Sequence, residues 1–171
     1  IVNFQDLSTG GPTGWNWNFG NGNTSVLRNP TATYFTPGTY TVTLTASNLN
    51  GSNSLTRTQY ITVYEPPTVD FMANTRSGCF PLRVQFSDLS MPGSGNTNVS
   101  WSWDFGNGLT STQQNPLVTY NTAGTYTVSL TVTNDKGCTR TITRPNYITV
   151  TNGVDAAFTF STPTVCHAPA I

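Results

Sequence analysis

The string Trp15-Asn16-Trp17-Asn18-Phe19-Gly20-Asn21-Gly22 returns with two changes as Trp101-Ser102-Trp103-Asp104-Phe105-Gly106-Asn107-Gly108. Asn29-Pro30 returns as Asn115-Pro116, and Pro37-Gly38-Thr39-Tyr40-Thr41-Val42 returns as Ala123-Gly124-Thr125-Tyr126-Thr127-Val128. Gln59-Tyr60-Ile61-Thr62-Val63 finds its match in Asn146-Tyr147-Ile148-Thr149-Val150. A period of about 86 residues is the size of a domain, too long for a solenoid repeat. The chain must therefore fold as units that each close a core of their own.

The repeat also has a phase. Val69-Asp70-Phe71 opens the second unit and Asp155-Ala156-Ala157-Phe158 opens a third, whereas Ile1-Val2-Asn3-Phe4 matches Arg83-Val84-Gln85-Phe86, well inside a unit. The expected division is a first repeat over 1–64 without its opening strand, a Pro-rich linker over 65–68, a complete repeat over 69–150, and the opening strand of a truncated third over 154–171. In this phase the chain reads as an excerpt from a longer array. Val154, Phe158 and Phe160 would form an inter-repeat strand that completes a unit shaped like the first, supplied by an adjacent repeat or by a neighbouring copy of the chain.

Inside each unit the periodicity is two. Tyr126, Val128, Leu130 and Val132 alternate with Thr or Ser, which gives a strand one apolar face and one wet face. Trp101, Trp103 and Phe105 alternate with Ser102 and Asp104 in the same way, as do Trp15, Trp17 and Phe19 in the first unit. Gly and Asn clusters such as Gly106-Asn107-Gly108 and Asp135-Lys136-Gly137 fall between the runs, where turns demand positive φ. No segment has a helical period. Short strands punctuated by such turns predict an all-β chain of antiparallel β-sandwiches.

Composition narrows the partners. Only 8% of the 171 residues are charged and the formal net charge is zero. Without a basic run there is no electrostatic footprint for nucleic acid, and no apolar run is long enough for membrane insertion as a helix. At 12% aromatic content, with many Val and Thr, the chain can close a core.

Trp103-Asp104-Phe105-Gly106-Asn107-Gly108, Asn115-Pro116, Tyr120 and Gly124-Thr125-Tyr126-Thr127-Val128, with their first-unit equivalents, resemble the PKD domain, an immunoglobulin-like sandwich. The resemblance implies tandem immunoglobulin-like (PKD-type) β-sandwiches. Asn21 and Asn107 stand where that family usually has Asp, and Asn18 replaces the Asp kept at Asp104. The style of the repeats is similar to arrays in large cell-surface proteins of Bacteroidetes, gliding and adhesion proteins among them. That likeness implies an extracellular, cell-surface, non-catalytic stalk, filament or adhesin segment. The alternative it leaves open is a ligand-binding accessory module of a secreted hydrolase acting on polysaccharide or protein. In such a secreted array Cys79 and Cys138 are expected to form a disulfide across the second unit, with Cys166, one period beyond Cys79, paired outside the chain.

The residues that could carry chemistry are few. Paired tryptophans can stack on sugars, but rings on one face of an alternating strand are expected in the core. Trp15, Trp17, Phe19, Trp101, Trp103 and Phe105 are assigned there, with Tyr40 and Tyr126 as tyrosine corners bonded to nearby backbone. His167 is the single histidine and adjoins Cys166, with which it cannot share a strand face. Asp88 with Asp104 is the one carboxylate pair within a unit worth weighing. No zinc spacing is present. Glu65, Asp70 and Asp155 place oxygens near the joints, short of a calcium set. No cofactor, metal or catalytic residue is expected, and no glycan or protein ligand is named by the sequence.

Overall fold

The computed structural model describes residues 1–154 and 156–159. Its regular structure is strand throughout. The first unit holds β1 (Val2–Asn3), β2 (Gly14–Asn18), β3 (Thr24–Ser25), β4 (Thr31–Ala32), β5 (Gly38–Asn48) and β6 (Gly51–Val63). The second holds β7 (Phe71–Ala73), β8 (Ser77–Cys79), β9 (Leu82–Asp88), β10 (Asn98–Asp104), β11 (Thr110–Ser111), β12 (Leu117–Tyr120), β13 (Gly124–Asn134) and β14 (Thr139–Thr151).

In the second unit a sheet ordered β11-β10-β13-β14-β8 packs on one ordered β12-β9-β7. Phe71, Val84, Phe86, Val118 and Tyr120 from the smaller sheet meet Trp103, Val128, Leu130, Val132, Ile148 and Val150 from the larger. The alternation places these side chains inward. The Thr and Ser between them line the outer face, where Thr131 and Thr141 share a hydrogen bond of 2.7 Å across the strand pair. One pairing departs from the antiparallel expectation. After β7 the chain crosses to the larger sheet, and β8 lies parallel to β14, with Ser77, Gly78 and Cys79 opposite Thr149, Val150 and Thr151.

The first unit repeats this plan with two places unfilled. Its larger sheet is β3-β2-β5-β6 and its smaller sheet only β1-β4. Among the described residues, none takes the position of β7 or β8. The consequence reaches β1, which is two residues long, whereas its counterpart β9 runs for seven. A strand paired on one edge alone keeps fewer residues in register.

The joint between the units is anchored to the second. Glu65 O accepts from Asn134 Nδ2 at 3.0 Å and from Asn96 Nδ2 at 3.2 Å, while its carboxylate accepts from the Ser94 amide at 2.9 Å. Pro67 is buried, and Thr68 exchanges backbone hydrogen bonds with Met91 at 2.8 and 2.9 Å. Asn134 is 1% exposed and fully used, since its Oδ1 also accepts the Lys136 and Cys138 amides. It continues the inward face of Val128, Leu130 and Val132 as the last residue of β13.

The expected disulfide between Cys79 and Cys138 is corrected. Both are free cysteines. Cys79 sits beside Thr151 at one end of β14, and Cys138 immediately precedes its other end. Thirteen residues of strand separate the two ends by about 40 Å at ~3.3 Å per residue, far beyond the ~7 Å that a disulfide spans between Cα atoms. Cys79 lies inside β8, at the far edge of the larger sheet.

Candidate functional site

The most repeated motif is a turn device. Gly20 and Gly106 have φ of 75° and 73°, and a Cβ on either would collide with the carbonyl oxygen of Thr41 or Thr127. Only glycine fits there. The residue two positions earlier accepts the glycine amide: Asp104 Oδ1 from Gly106 at 2.9 Å, and Asn18 Oδ1 from Gly20 at 2.9 Å. An amide oxygen thus does what the carboxylate does, and the Asn-for-Asp departure leaves this turn intact. Asn21 goes further, because its Nδ2 donates to Thr33 O at 3.0 Å, which a carboxylate cannot do.

The Asn-Pro pair extends the pairing inside the smaller sheet, from the start of β12 to the end of β9 and from the start of β4 to the residues after β1. Asn115 Oδ1 accepts the Asp88 amide at 2.8 Å while Pro116 O accepts the Phe86 amide at 2.9 Å; Asn29 and Pro30 do the same for Asp6 and Phe4, at 2.9 Å each. Asp88 and Asp104 are therefore occupied separately and do not converge. Asp88 accepts from Trp101 Nε1 at 2.7 Å and from Gln114 Nε2 at 3.1 Å. In the first unit the Trp15 indole faces Asp6 without closing a hydrogen bond as short as that of Trp101, and Asp6 accepts from Arg28 Nε at 3.3 Å and from the Ser8 amide at 2.9 Å. The Ser8 hydrogen bonds first, then the Trp15 indole and the Arg28 guanidinium, hold the Asp6 carboxyl at about 2 against its burial.

Trp17, Phe19, Trp103 and Phe105 are buried, Trp15, Trp101 and Tyr126 are half-buried against the same clusters, and Tyr40 is half-buried against the Tyr34 ring. Trp103 Nε1 donates to Gln113 O at 2.9 Å and Trp17 Nε1 to Leu27 O at 3.1 Å, so each ring is oriented as well as packed. Tyr126 Oη donates to Thr122 O at 2.8 Å and Tyr40 Oη to Thr36 O at 2.7 Å, four residues back. A second pair of tyrosines was not singled out as structural. Tyr120 and Tyr34 donate to Phe105 O at 3.1 Å and Phe19 O at 3.2 Å, closing the turn that follows the tryptophan strand, and burial pushes both phenols above their usual value. Their signal was present in Tyr120, which recurs fourteen residues after Gly106 as Tyr34 does after Gly20.

Of the joint carboxylates, Glu65 is used as described and Asp70 pairs with Arg144; Asp155 lies outside the described residues, as do Phe160, Cys166 and His167. Val154 and Phe158 are 98% and 90% exposed. Among the described residues, no three His, Cys, Asp or Glu side chains gather where a metal could sit.

The first unit carries a concave surface. It is a cleft of about 1230 Å³ running along the face that β7 and β8 would cover, floored by Val2, Phe4, Trp17, Leu44 and Ile61 and rimmed by Leu55, Arg57 and Tyr60. Its chemistry is that of an open core, apolar below with unpaired strand edges at the sides.

Two immunoglobulin-like sandwiches in tandem, built on one repeated turn device, define a modular all-β protein. The chain belongs to the PKD domain family, whose profile matches residues 2–63 and 64–150. It is 39% identical to the PKD1 domain of Vibrio anguillarum Epp, covering 52% of this chain and 100% of that one, with a TM-score of 0.45. It is 38% identical to the PKD1 domain of the Vibrio cholerae metalloprotease PrtV, covering 50% and 98%, with a TM-score of 0.44. Among full-length relatives, it is 52% identical over 56 residues to the pre-pro-metalloprotease PrtV of Vibrio cholerae and 37% identical over 89 residues to the microbial collagenase of Vibrio alginolyticus. These matches take in 33% and 52% of this chain but only 6% and 11% of those enzymes. The finer likeness to Bacteroidetes surface arrays rests on the sequence alone.

Proposed function

We propose that the chain is an extracellular, ligand-binding accessory module of a protein-degrading enzyme, holding its catalytic domain on a protein ligand without taking part in its chemistry. The observation that carries this reading is the pair of relationships to a metalloprotease and a collagenase, each confined to a small part of the enzyme. The surface agrees with it. A face of Thr and Ser with 8% charged residues overall has solvation that depends little on salt, which suits a module working outside the cell. The test is co-sedimentation of the 171-residue chain with insoluble collagen fibres, alongside a crystalline polysaccharide. Retention on the protein fibre and recovery from the polysaccharide supernatant is the expected result. Full recovery in both supernatants would remove the binding role.

The tandem repetition, with Val154 and Phe158 exposed beyond the second unit, favours a second reading, in which the chain is one segment of a cell-surface stalk, filament or adhesin. The number of units in the parent polypeptide separates the two. A pair beside a catalytic domain supports the accessory module, and a long array supports the stalk.

A further inference from the structure

We propose that the two units are joined through a single free residue, Tyr64, and that Asn134 is the positioning residue that keeps the rest of the joint fixed to the second unit, so that the pair moves as one body. The inference rests on the joint alone and is independent of the accessory-module reading.

Sequence restricts the joint before any packing does. The rings of Pro66 and Pro67 lock their own φ, and a residue that precedes proline is pushed out of the helical region, so Glu65 and Pro66 are held extended. Thr68 is fixed by its two backbone hydrogen bonds with Met91. Between the end of β6 at Val63 and Thr68, that leaves Tyr64 as the one residue whose two dihedral angles are unrestricted by its neighbours.

Packing then removes the slack that follows Tyr64. Glu65 sits in a socket made by the loop 92–97 and the turn between β13 and β14. Its carbonyl oxygen takes the side-chain amides of Asn134 and Asn96, and its carboxylate takes the Ser94 amide. Asn134 Nδ2 also donates to Pro92 O at 3.1 Å, so one buried amide group holds both the joint and the loop beside it. Gly93 completes the socket: a Cβ there would stand 2.9 Å from Glu65 O and 3.2 Å from Glu65 Cβ. Tyr64 itself is loaded from the second unit, with Lys136 Nζ 5.6 Å over its ring and paired to Asp135 at 3.0 Å.

The lengths decide the consequence. Val63 and Glu65 are two steps apart, at most about 7 Å of chain. Two sandwiches held that close on one residue collide after a small rotation, and this couples them. With Glu65 released, the next fixed point would be Thr68, five steps from Val63 and about 17 Å of chain. That is enough for each unit to turn by itself.

Backbone amide relaxation of the full chain by NMR reads the tumbling of each unit separately. The wild type should give both units one common tumbling time. Asn134→Asp keeps an oxygen for the Lys136 and Cys138 amides but loses the donor to Glu65 O, and Gly93→Ala presses a methyl group against the same carbonyl. Each should split the common time into two shorter ones. Gly95→Ala is the control, because Gly95 has φ of +70° against +86° at Gly93 and an added Cβ there meets nothing within 4 Å. It brings backbone strain to the same loop without touching the joint, and should leave the common time intact. Amide shifts of β9 and β13 verify the fold of the second unit, and should Asn134→Asp lose it, Gly93→Ala against Gly95→Ala decides. Separate tumbling times in the wild type would overturn the proposal, as would a Gly93→Ala variant that tumbles like the wild type or a Gly95→Ala variant that splits the units as Gly93→Ala does.

Discussion

Val128, Leu130 and Val132 on β13 are fully sealed, whereas on β5 only Val42 is buried, and Leu44 and Ala46 at the matching positions retain part of their surface. The hairpin partners diverge further. On β14 every second residue near the C-terminal end is buried, while β6, with nearly the same pattern of residue types, is exposed along most of its length. Sequence alternation decides which side chains could be buried. Whether they are depends on the element that lies across from them, and β7 with β8 supplies it in one unit only.

Phe71→Ala should break this contrast most severely, because it removes the ring on which Phe86, Trp103 and Tyr147 converge. The expected loss is about 3 to 5 kcal/mol in the second unit, read as a lowered urea midpoint with segment-resolved hydrogen exchange showing the first unit unaffected. An unchanged midpoint would mean that Phe71 is a lid and not part of the core. Gly106→Ala and Gly20→Ala test the opposite claim, that the turn is identical in both units. Each should cost roughly 1 to 3 kcal/mol, by backbone strain at positive φ and by collision with the carbonyl opposite, and unequal losses would show that the two turns differ.

Tyr147→Ala and Tyr60→Ala sharpen the comparison. Tyr147 should lose about 0.5 to 1.5 kcal/mol of ring pairing in addition to burial, and Tyr60, with no ring to meet, should lose close to nothing in an isolated chain. Acid distinguishes the units as well. The Asp6 carboxyl is held at about 2 in the folded unit and lies near 3.9 when unfolded. Its contribution to stability is therefore present above about pH 4 and disappears as the pH falls toward about 2. Urea midpoints of the first unit across that window should decline, and Asp6→Asn should flatten the decline.

The repeat and the inward faces of the long strands were legible, because alternation and turn glycines are local signals. What escaped was non-local. Ser77-Gly78-Cys79 has no alternation, so its parallel seat beside β14 could not be read, and the cysteine pairing built on it went wrong. Asn29 and Asn115 read as turn residues, yet their side chains bridge to a distant strand. The cleft is legible only by subtraction, since no residue in the first unit marks it; the mark is in the second unit, in Phe71.

The parallel seating of β8 has a mechanical consequence. Tension applied along the chain draws β8 toward the N-terminus and β14 toward the C-terminus, so the three facing positions from Thr149↔Ser77 to Thr151↔Cys79 slide past one another and share the load. Inter-strand hydrogen bonds that must fail together resist more than bonds opened one after another from an end. The second unit should therefore open under tension in one step, when these bonds fail together, rather than by peeling from an end.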